Sequence, residues 1–358
     1  MAKKINKSRV LVVGARGLVG NGVIQSYEND SKWSVIAVSR QKPLFPNKAK
    51  FISLDLTDRV AVMETLGMMG HFDRIVYAAL YEKSDLIAGW RDGEQITRNV
   101  AMLTNILDAI GTTTHFTLLQ GTKAYGAHLR PMRNPGKESD ARPVGPNFYW
   151  PQEDLLKDRA RRHGFAYNIH RPQIISGMAI GSPMNVTMAL GVYAALAKAA
   201  KEPLCFPGGP SFITQATDAD LLGRAIRWAA ENEKCWGQTF NVTNGDELVW
   251  RSIWPAIAEI FDMPLGEDRM QNLTSTMPNR AKEWDQLVRR QKLLPLPMDQ
   301  LVGASWQFAD AVFGYAGAQH TLLSTVKIRQ FGFAECMDTE AMFRTQLSAL
   351  QKAQILPR

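Results

Sequence analysis

Three glycines near the start of the chain are spaced for phosphate chemistry. Gly14-Ala15-Arg16-Gly17-Leu18-Val19-Gly20 follows a short apolar run and opens a helical pattern. In a strand–turn–helix context Gly14 permits the tight turn, Gly17 lets the backbone approach a pyrophosphate, and Gly20 lets the helix pack close to the sheet. The helix N-terminus then offers free N–H groups and a partial positive charge to the phosphates. The end of the second predicted strand bears on which dinucleotide would sit there. A carboxylate at that place would hold the ribose hydroxyls of NAD(H), but the residues are Ser39-Arg40-Gln41-Lys42. Arg40 can bind a 2′-phosphate through charge-assisted bonds, and Arg16 can add a second charge. The expected cofactor is NADPH/NADP+. Asp55-Leu56, after the third predicted strand, is expected to flank the adenine. Asp55 also suits the start of the helix beyond Thr57-Asp58, and the two roles are compatible.

The GxxGxxG spacing resembles that of short-chain dehydrogenase/reductases, whose usual catalytic signature is Tyr-x-x-x-Lys. None of the eight tyrosines has a lysine four residues later; Tyr149 is followed by Glu153 and Tyr167 by Arg171. Either the chain is not catalytic or another lysine does the work. Two segments point to the second. Leu119-Gln120-Gly121-Thr122-Lys123-Ala124-Tyr125-Gly126 follows the fifth predicted strand, and Pro146-Asn147-Phe148-Tyr149-Trp150-Pro151-Gln152-Glu153-Asp154 opens the next helix. Together with Arg171-Pro172, Gly181-Ser182-Pro183-Met184-Asn185, Asp218-Ala219-Asp220-Leu221, Phe240-Asn241-Val242-Thr243-Asn244-Gly245-Asp246 and Trp284-Asp285-Gln286-Leu287-Val288, they resemble the progesterone 5β-reductase/iridoid synthase-like family of atypical extended short-chain dehydrogenase/reductases. The resemblance runs through most of the chain, with the motifs in the same order.

That resemblance implies an oxidoreductase in which NADPH gives a hydride to the β-carbon of an activated C=C bond, with a small apolar enone as substrate. By matching position it implies Tyr149 and Lys123 as the catalytic pair. It also implies cofactor contacts at Gly17-Leu18-Val19, Arg40-Gln41, Asp55-Leu56, Ala79, Ile175 and Ser182-Pro183-Met184. The residue types suit this chemistry in their own right. Hydride addition pushes negative charge onto the carbonyl oxygen, and a donor fixed there stabilises the transition state more than the ground state. A tyrosine hydroxyl is such a donor, and a nearby ammonium lowers its pKa from about 10. Lys123 could act on Tyr149 or on the nicotinamide ribose. The sequence departs from the family around the substrate pocket: Trp150 replaces its second tyrosine, Ala124 its histidine after the lysine, and Ala78-Ala79-Leu80-Tyr81 lacks its tryptophan. Steroid or iridoid specificity is therefore not implied. The alternatives are a carbonyl reductase, an epimerase or dehydratase of the extended type, or a non-catalytic NADP(H) sensor.

The elements that must position these residues alternate through the first half. Strands are predicted at 9–13, 34–38, 49–53, 74–79, 116–120 and 166–170, with helices at 18–29, 60–69, 96–110 and 147–163. Such alternation implies parallel strands covered by helices on both faces. Beyond Pro172 the pattern turns mainly helical, at 184–198, Ala219–Glu231, 250–261, 278–291 and Thr339–Lys352, with one strand at Thr239–Val242. The expected fold is α/β: a Rossmann-type doubly wound parallel sheet over residues 1–172, with a smaller, mainly helical substrate cap over 173–358, some segments of which return to the sheet. Met178, Met184, Phe206, Trp306 and Phe308 could line an apolar pocket, although core packing is the better reading of each.

The chain has 358 residues, 45% hydrophobic and 21% charged, enough for one large domain or two closely packed ones and unlike a disordered or collagenous sequence. Its three scattered cysteines suit reduced thiols in a cytoplasmic protein. The six histidines show no metal-ligand spacing. The net charge of +8 includes Lys3, Lys4, Lys7 and Arg9 in a basic start read as a solvated tail. No nucleic-acid motif and no apolar run of bilayer length is present. Homodimers are common in related folds, but no sequence feature marks an interface.

Overall fold

The computed structural model describes residues 7–358. Lys3 and Lys4 lie outside the described residues, and Arg9 departs from the tail reading. Its guanidinium donates to the carbonyls of Met69 and His71 at 2.6 and 2.9 Å and lies over the ring of Phe72.

A seven-stranded parallel sheet organises the molecule. The strands are β1 (Ser8–Val13), β2 (Trp33–Ser39), β3 (Lys50–Ser53), β4 (Phe72–Tyr77), β5 (Thr113–Leu119) and β6 (Ala166–Pro172). A two-residue pair, β7 (Ile175–Ser176) with β8 (Thr217–Asp218), forms a small second sheet, and β9 (Thr239–Val242) returns to the first. The main order is β3-β2-β1-β4-β5-β6-β9. Successive side chains of a strand face opposite sides, and β1 shows why both sides must be covered. Val10 and Val12 pack with Val23, Ile24 and the buried face of the Ala219–Glu231 helix. Leu11 and Val13 pack on the other side with Val62 and Leu66 and with Leu103 and Ile106 of the Gly93–Ala109 helix. A strand buried on both faces reads as a continuous apolar run.

Beyond residue 172 a third core forms the cap. The Val186–Ala199 helix is buried nearly all round and packs among Trp250, Trp254, Trp284 and Trp306. Two segments from this half belong to the sheet layer: β9, and the Ala219–Glu231 helix, which crosses the Leu18–Glu28 helix closely. A Cβ on Gly22 would lie 2.0 Å from the carbonyl oxygen of Ala219, and one on Gly223 would lie 2.3 Å from that of Gly22. The chain reverses strand order between β1 and β4, so a crevice opens at their carboxyl ends, where open α/β sheets bind ligands. Among the described residues no helix is long and apolar enough to cross a membrane.

Candidate active site

That crevice is one end of a cavity of about 1390 Å³ running along the carboxyl edge of the sheet to the cap. Its volume exceeds the ~300–1,000 Å³ of a typical small-ligand pocket, leaving room for a dinucleotide and a second molecule. Of the expected catalytic and cofactor-binding residues, Gly14, Arg16, Gly17, Leu18, Val19, Ser39, Arg40, Gln41, Asp55, Leu56, Ala79, Lys123, Tyr149, Ile175, Ser182, Pro183 and Met184 line it and Gly20 does not. Gly20 lies behind the loop, where an added Cβ would meet the carbonyl oxygen of Gly14 at 2.3 Å. Met184 and Phe308 reach the cavity, whereas Phe206 and Trp306 pack in the cap core.

At the β1–β2 end the loop is shaped by close backbone approach. Gly14 has φ +91°, and a Cβ there would lie 2.6 Å from the backbone of Ala78 and Ala79. Gly17 caps the Leu18–Glu28 helix with no side-chain bond, so the first-turn amides keep their capacity for an anion. Arg16 is held below the ordinary guanidinium value by burial and by the nearby charge of Arg40. Neither arginine has a carboxylate partner among the described residues. Two adjoining cations with no direct ion pair among the described residues, beside an uncapped helix start, suit a phosphorylated dinucleotide, with Asp55 near enough to feel the Arg40 charge. Asp55 accepts from the amide and hydroxyl of Thr57 at 2.9 and 2.8 Å, which holds its carboxyl below the usual range. The cap of the following helix is Asp58, whose side chain accepts from the amide of Ala61.

At the other end Tyr149 opens the Tyr149–His163 helix. Asn147 fixes that start: its Oδ1 accepts the Tyr149 amide at 2.8 Å while its Nδ2 donates to the Lys123 carbonyl at 2.6 Å. One side chain thus ties both candidate catalytic segments. Gln120, at the end of β5, donates to Glu153 at 3.0 Å and accepts from Arg171 at 2.8 Å, fastening strand to helix. Glu153 occupies the position where the usual signature has lysine. Burial alone would raise its pKa, but bonds from Lys157, Gln120 and Arg142 prevail and hold it at about 2. It is a structural anion.

The Tyr149 hydroxyl lies beside Gly121, where an added Cβ would sit 3.6 Å away, and it has no hydrogen-bond partner among the described residues. The expectation that an ammonium lowers its pKa is corrected here. Burial, and secondarily the charge of Glu82, raise it well above its ordinary value. The Lys123 ammonium is turned toward Glu82, at 3.4 Å, and lies 5.9 Å from the centre of the Tyr149 ring. Tyr149 is therefore a neutral phenol, a donor rather than a base. Sequence reasoning missed Glu82 and Trp90, whose ring centre is 4.4 Å from the ammonium. The available signal was a carboxylate just beyond an apolar strand, at the ligand-binding edge of a parallel sheet. No cluster of three or more His, Cys, Asp or Glu suited to a metal occurs among the described residues.

Comparison with known proteins agrees with this layout. The profile of the NAD dependent epimerase/dehydratase family matches residues 10–241. An (S)-8-oxocitronellyl enol synthase of Camptotheca acuminata is 28% identical, the match covering 97% of this chain and 93% of that one. A 3-oxo-Delta(4,5)-steroid 5-beta-reductase of Arabidopsis thaliana is also 28% identical, over 98% and 94%. Among solved structures, a UDP-glucuronic acid 4-epimerase from Bacillus cereus, in complex with UDP-glucuronic acid and NAD, superposes with a TM-score of 0.67 at 13% identity, covering 96% of this chain and 99% of that one. It shares the fold.

Proposed function

The chain belongs to the NAD dependent epimerase/dehydratase family, and from that premise we propose that it is an NADPH-dependent reductase of the activated C=C bond of enones. The observation that carries this reading is the Tyr149 hydroxyl, unpartnered among the described residues and beside Gly121 in the cavity wall. The two relatives named for an enol synthase and a steroid 5-beta-reductase support it, because both names describe chemistry on a conjugated carbonyl system. Arg16 and Arg40 support the phosphorylated cofactor, and the Gly14 turn with the uncapped helix start fits its pyrophosphate.

When bound, the cofactor supplies the hydride that adds to the β-carbon. The C=C electron pair then moves to the carbonyl oxygen as an enolate. Tyr149 donates a hydrogen bond to that oxygen, an interaction that strengthens as charge develops. Its raised pKa keeps the proton on the phenol, so Tyr149 stabilises the enolate without giving the proton up. The α-carbon is protonated from water, yielding the saturated carbonyl compound. Lys123 supplies a buried positive charge beside the phenol ring.

The test is NADPH consumption with a panel of small and steroidal enones, with product identification. A saturated ketone is the expected product, with kcat reduced roughly 10²–10³-fold in Tyr149→Phe, the usual cost of losing one oxyanion donor. An allylic alcohol would instead identify a carbonyl reductase. Interconversion of a UDP-sugar would identify an epimerase, a reading favoured by the family name but opposed by Glu153 in place of the signature lysine. Tight NADPH binding without turnover of any of these would identify a sensor.

A further inference from the structure

Lys123 sits among three aromatic rings at the cavity wall. Its ammonium lies 4.4 Å from the ring centre of Trp90, 5.6 Å from that of Phe148 and 5.9 Å from that of Tyr149. Glu82 lies against it, with Oε1 at 3.4 Å. Only 12% of the lysine side chain and 3% of the glutamate side chain are exposed. Glu82 is itself held on a second oxygen, which accepts from Gln95 Nε2 at 2.5 Å. Gln95 is fully buried, and its Oε1 accepts the Lys83 amide at 2.9 Å. Gly89 leaves the space for that amide group, since a Cβ there would lie 2.5 Å from Gln95 Oε1. The carboxylate is thus locked in place by the backbone after β4 and by the Gly93–Ala109 helix. Glu82 does not line the cavity, while Lys123, Trp90 and Tyr149 do.

We propose that Glu82 is a positioning residue for the reaction: its carboxylate anchors the Lys123 ammonium among the aromatic rings, which keeps a cation beside Tyr149, the donor to the developing enolate. This role rests on the enone reading above. The physical reason is desolvation. A buried ammonium is disfavoured unless an opposite charge accompanies it, and three aromatic faces offset only part of that cost. Burial pulls the Lys123 pKa down and Glu82 is the group that pulls it back up. The other titratable groups facing the ammonium are Tyr149, which burial keeps protonated, and His128, which burial and the Lys123 and Arg91 charges keep neutral. Glu82 is therefore the one negative charge within reach among the described residues. Without it the lysine sheds its proton nearer neutrality, and the site loses its cation.

The test uses the full chain carrying Glu82→Gln, which keeps the shape and an acceptor for Gln95, and Glu82→Asp, which keeps the charge. Two readouts are taken across pH 5.5–10: kcat and KM on an enone, and the rate of trace acetylation of Lys123 by acetic anhydride, located by peptide mass spectrometry. In Glu82→Gln the acetylation midpoint of Lys123 and the alkaline limb of kcat should both move down by a pH unit or more. KM for NADPH should stay within about threefold, because Glu82 lies outside the cavity wall. Glu82→Asp should fall between the two proteins. An unchanged acetylation midpoint in Glu82→Gln overturns the proposal, as does a loss of activity that is uniform across pH. If Glu82→Gln does not fold, the midpoint in Glu82→Asp decides, and an unshifted value there overturns the proposal. The acetylation readout needs no turnover. A shifted midpoint in a protein that reduces no enone would leave the anchoring intact and remove the enone reading instead.

Discussion

In the proposed NADPH reading, Arg16 and Arg40 carry the cofactor preference, and their effect is separable from catalysis. Both face the cavity, Arg16 feels the charge of Arg40, and neither makes a direct ion pair with a carboxylate among the described residues. A 2′-phosphate, as proposed, would pair with both. A charge-assisted bond is worth ~1.5–3 kcal/mol, so losing two should lower kcat/KM with NADPH by roughly 100-fold or more. Arg16→Ala/Arg40→Ala is expected to show that drop with NADPH and a change below about threefold with NADH. Steady-state kinetics with both cofactors check it, and equal losses would sink the preference. These arginines, like the glycine turn, were legible because a nucleotide contact depends on short spacing within one strand–turn–helix unit. Lys123 and Tyr149 were legible only through the motifs around them. Glu82, Trp90 and Gln95 were not, because they reach Lys123 through the crossover after β4, and sequence spacing says nothing about which strand ends adjoin. The ionisation of Tyr149 was misjudged for the same reason: its sign depends on Glu82 and on burial, neither visible along the chain.

The helix that starts at the glycine turn owes its position to another helix. The Leu18–Glu28 and Ala219–Glu231 helices meet backbone to backbone at Gly22 and Gly223. A methyl at Gly223 would penetrate the Gly22 carbonyl, which cannot move aside as a flexible side chain could. Gly223→Ala should cost ~1–3 kcal/mol, the usual range for overpacking, and lower the melting temperature by several degrees. It should also weaken NADPH binding, since the displaced helix carries the phosphate-facing N-terminus. Gly111→Ala is the control: nothing lies within 4 Å of its Cβ position, so its stability should stay within ~0.5 kcal/mol of the parent. Thermal melts and NADPH titration of both variants check this, and equal melting temperatures would refute the close-crossing argument. The sheet half was legible as elements because strands buried on both faces give unbroken apolar runs. β7 and β8, two residues each, leave no period to detect, and neither do the Met298–Val302 and Ser305–Val312 helices that wall the cap. Pro278 sits in a separate 3₁₀ turn, Met277–Arg280, rather than opening the Ala281–Gln291 helix.

The whole molecule is built to be acid-labile. His115 on β5 and His170 on β6 are fully buried in the sheet. Burial holds both near pKa 3, and for His170 the proximity of His115 adds to it. His115 Nε2 is paired with Asn168 Oδ1 at 2.7 Å, while neither ring nitrogen of His170 has a partner. Both must stay neutral in the folded sheet, whereas the unfolded chain protonates them near pH 6.5. A folded-state pKa below the unfolded value gives stability that is full above pH 6.5 and is lost as pH falls toward 3. In that window these two residues give the unfolded state two more protons, a slope of ~1.4 kcal/mol per pH unit for each, and His128, lowered first by burial, adds in the same direction. Glu153, held at about 2, adds a second loss of the same sign below its ordinary 4.5. Urea midpoints should therefore be level between pH 8 and 7 and fall steeply from pH 6.5 to 5. His170→Leu removes one titrating group from an apolar setting beside Phe240, and should reduce the slope in that interval by roughly a third to a half. A flat profile from pH 8 to 5 in the parent protein would mean that these histidines find protonated partners in the fold, and the sheet core would need another account.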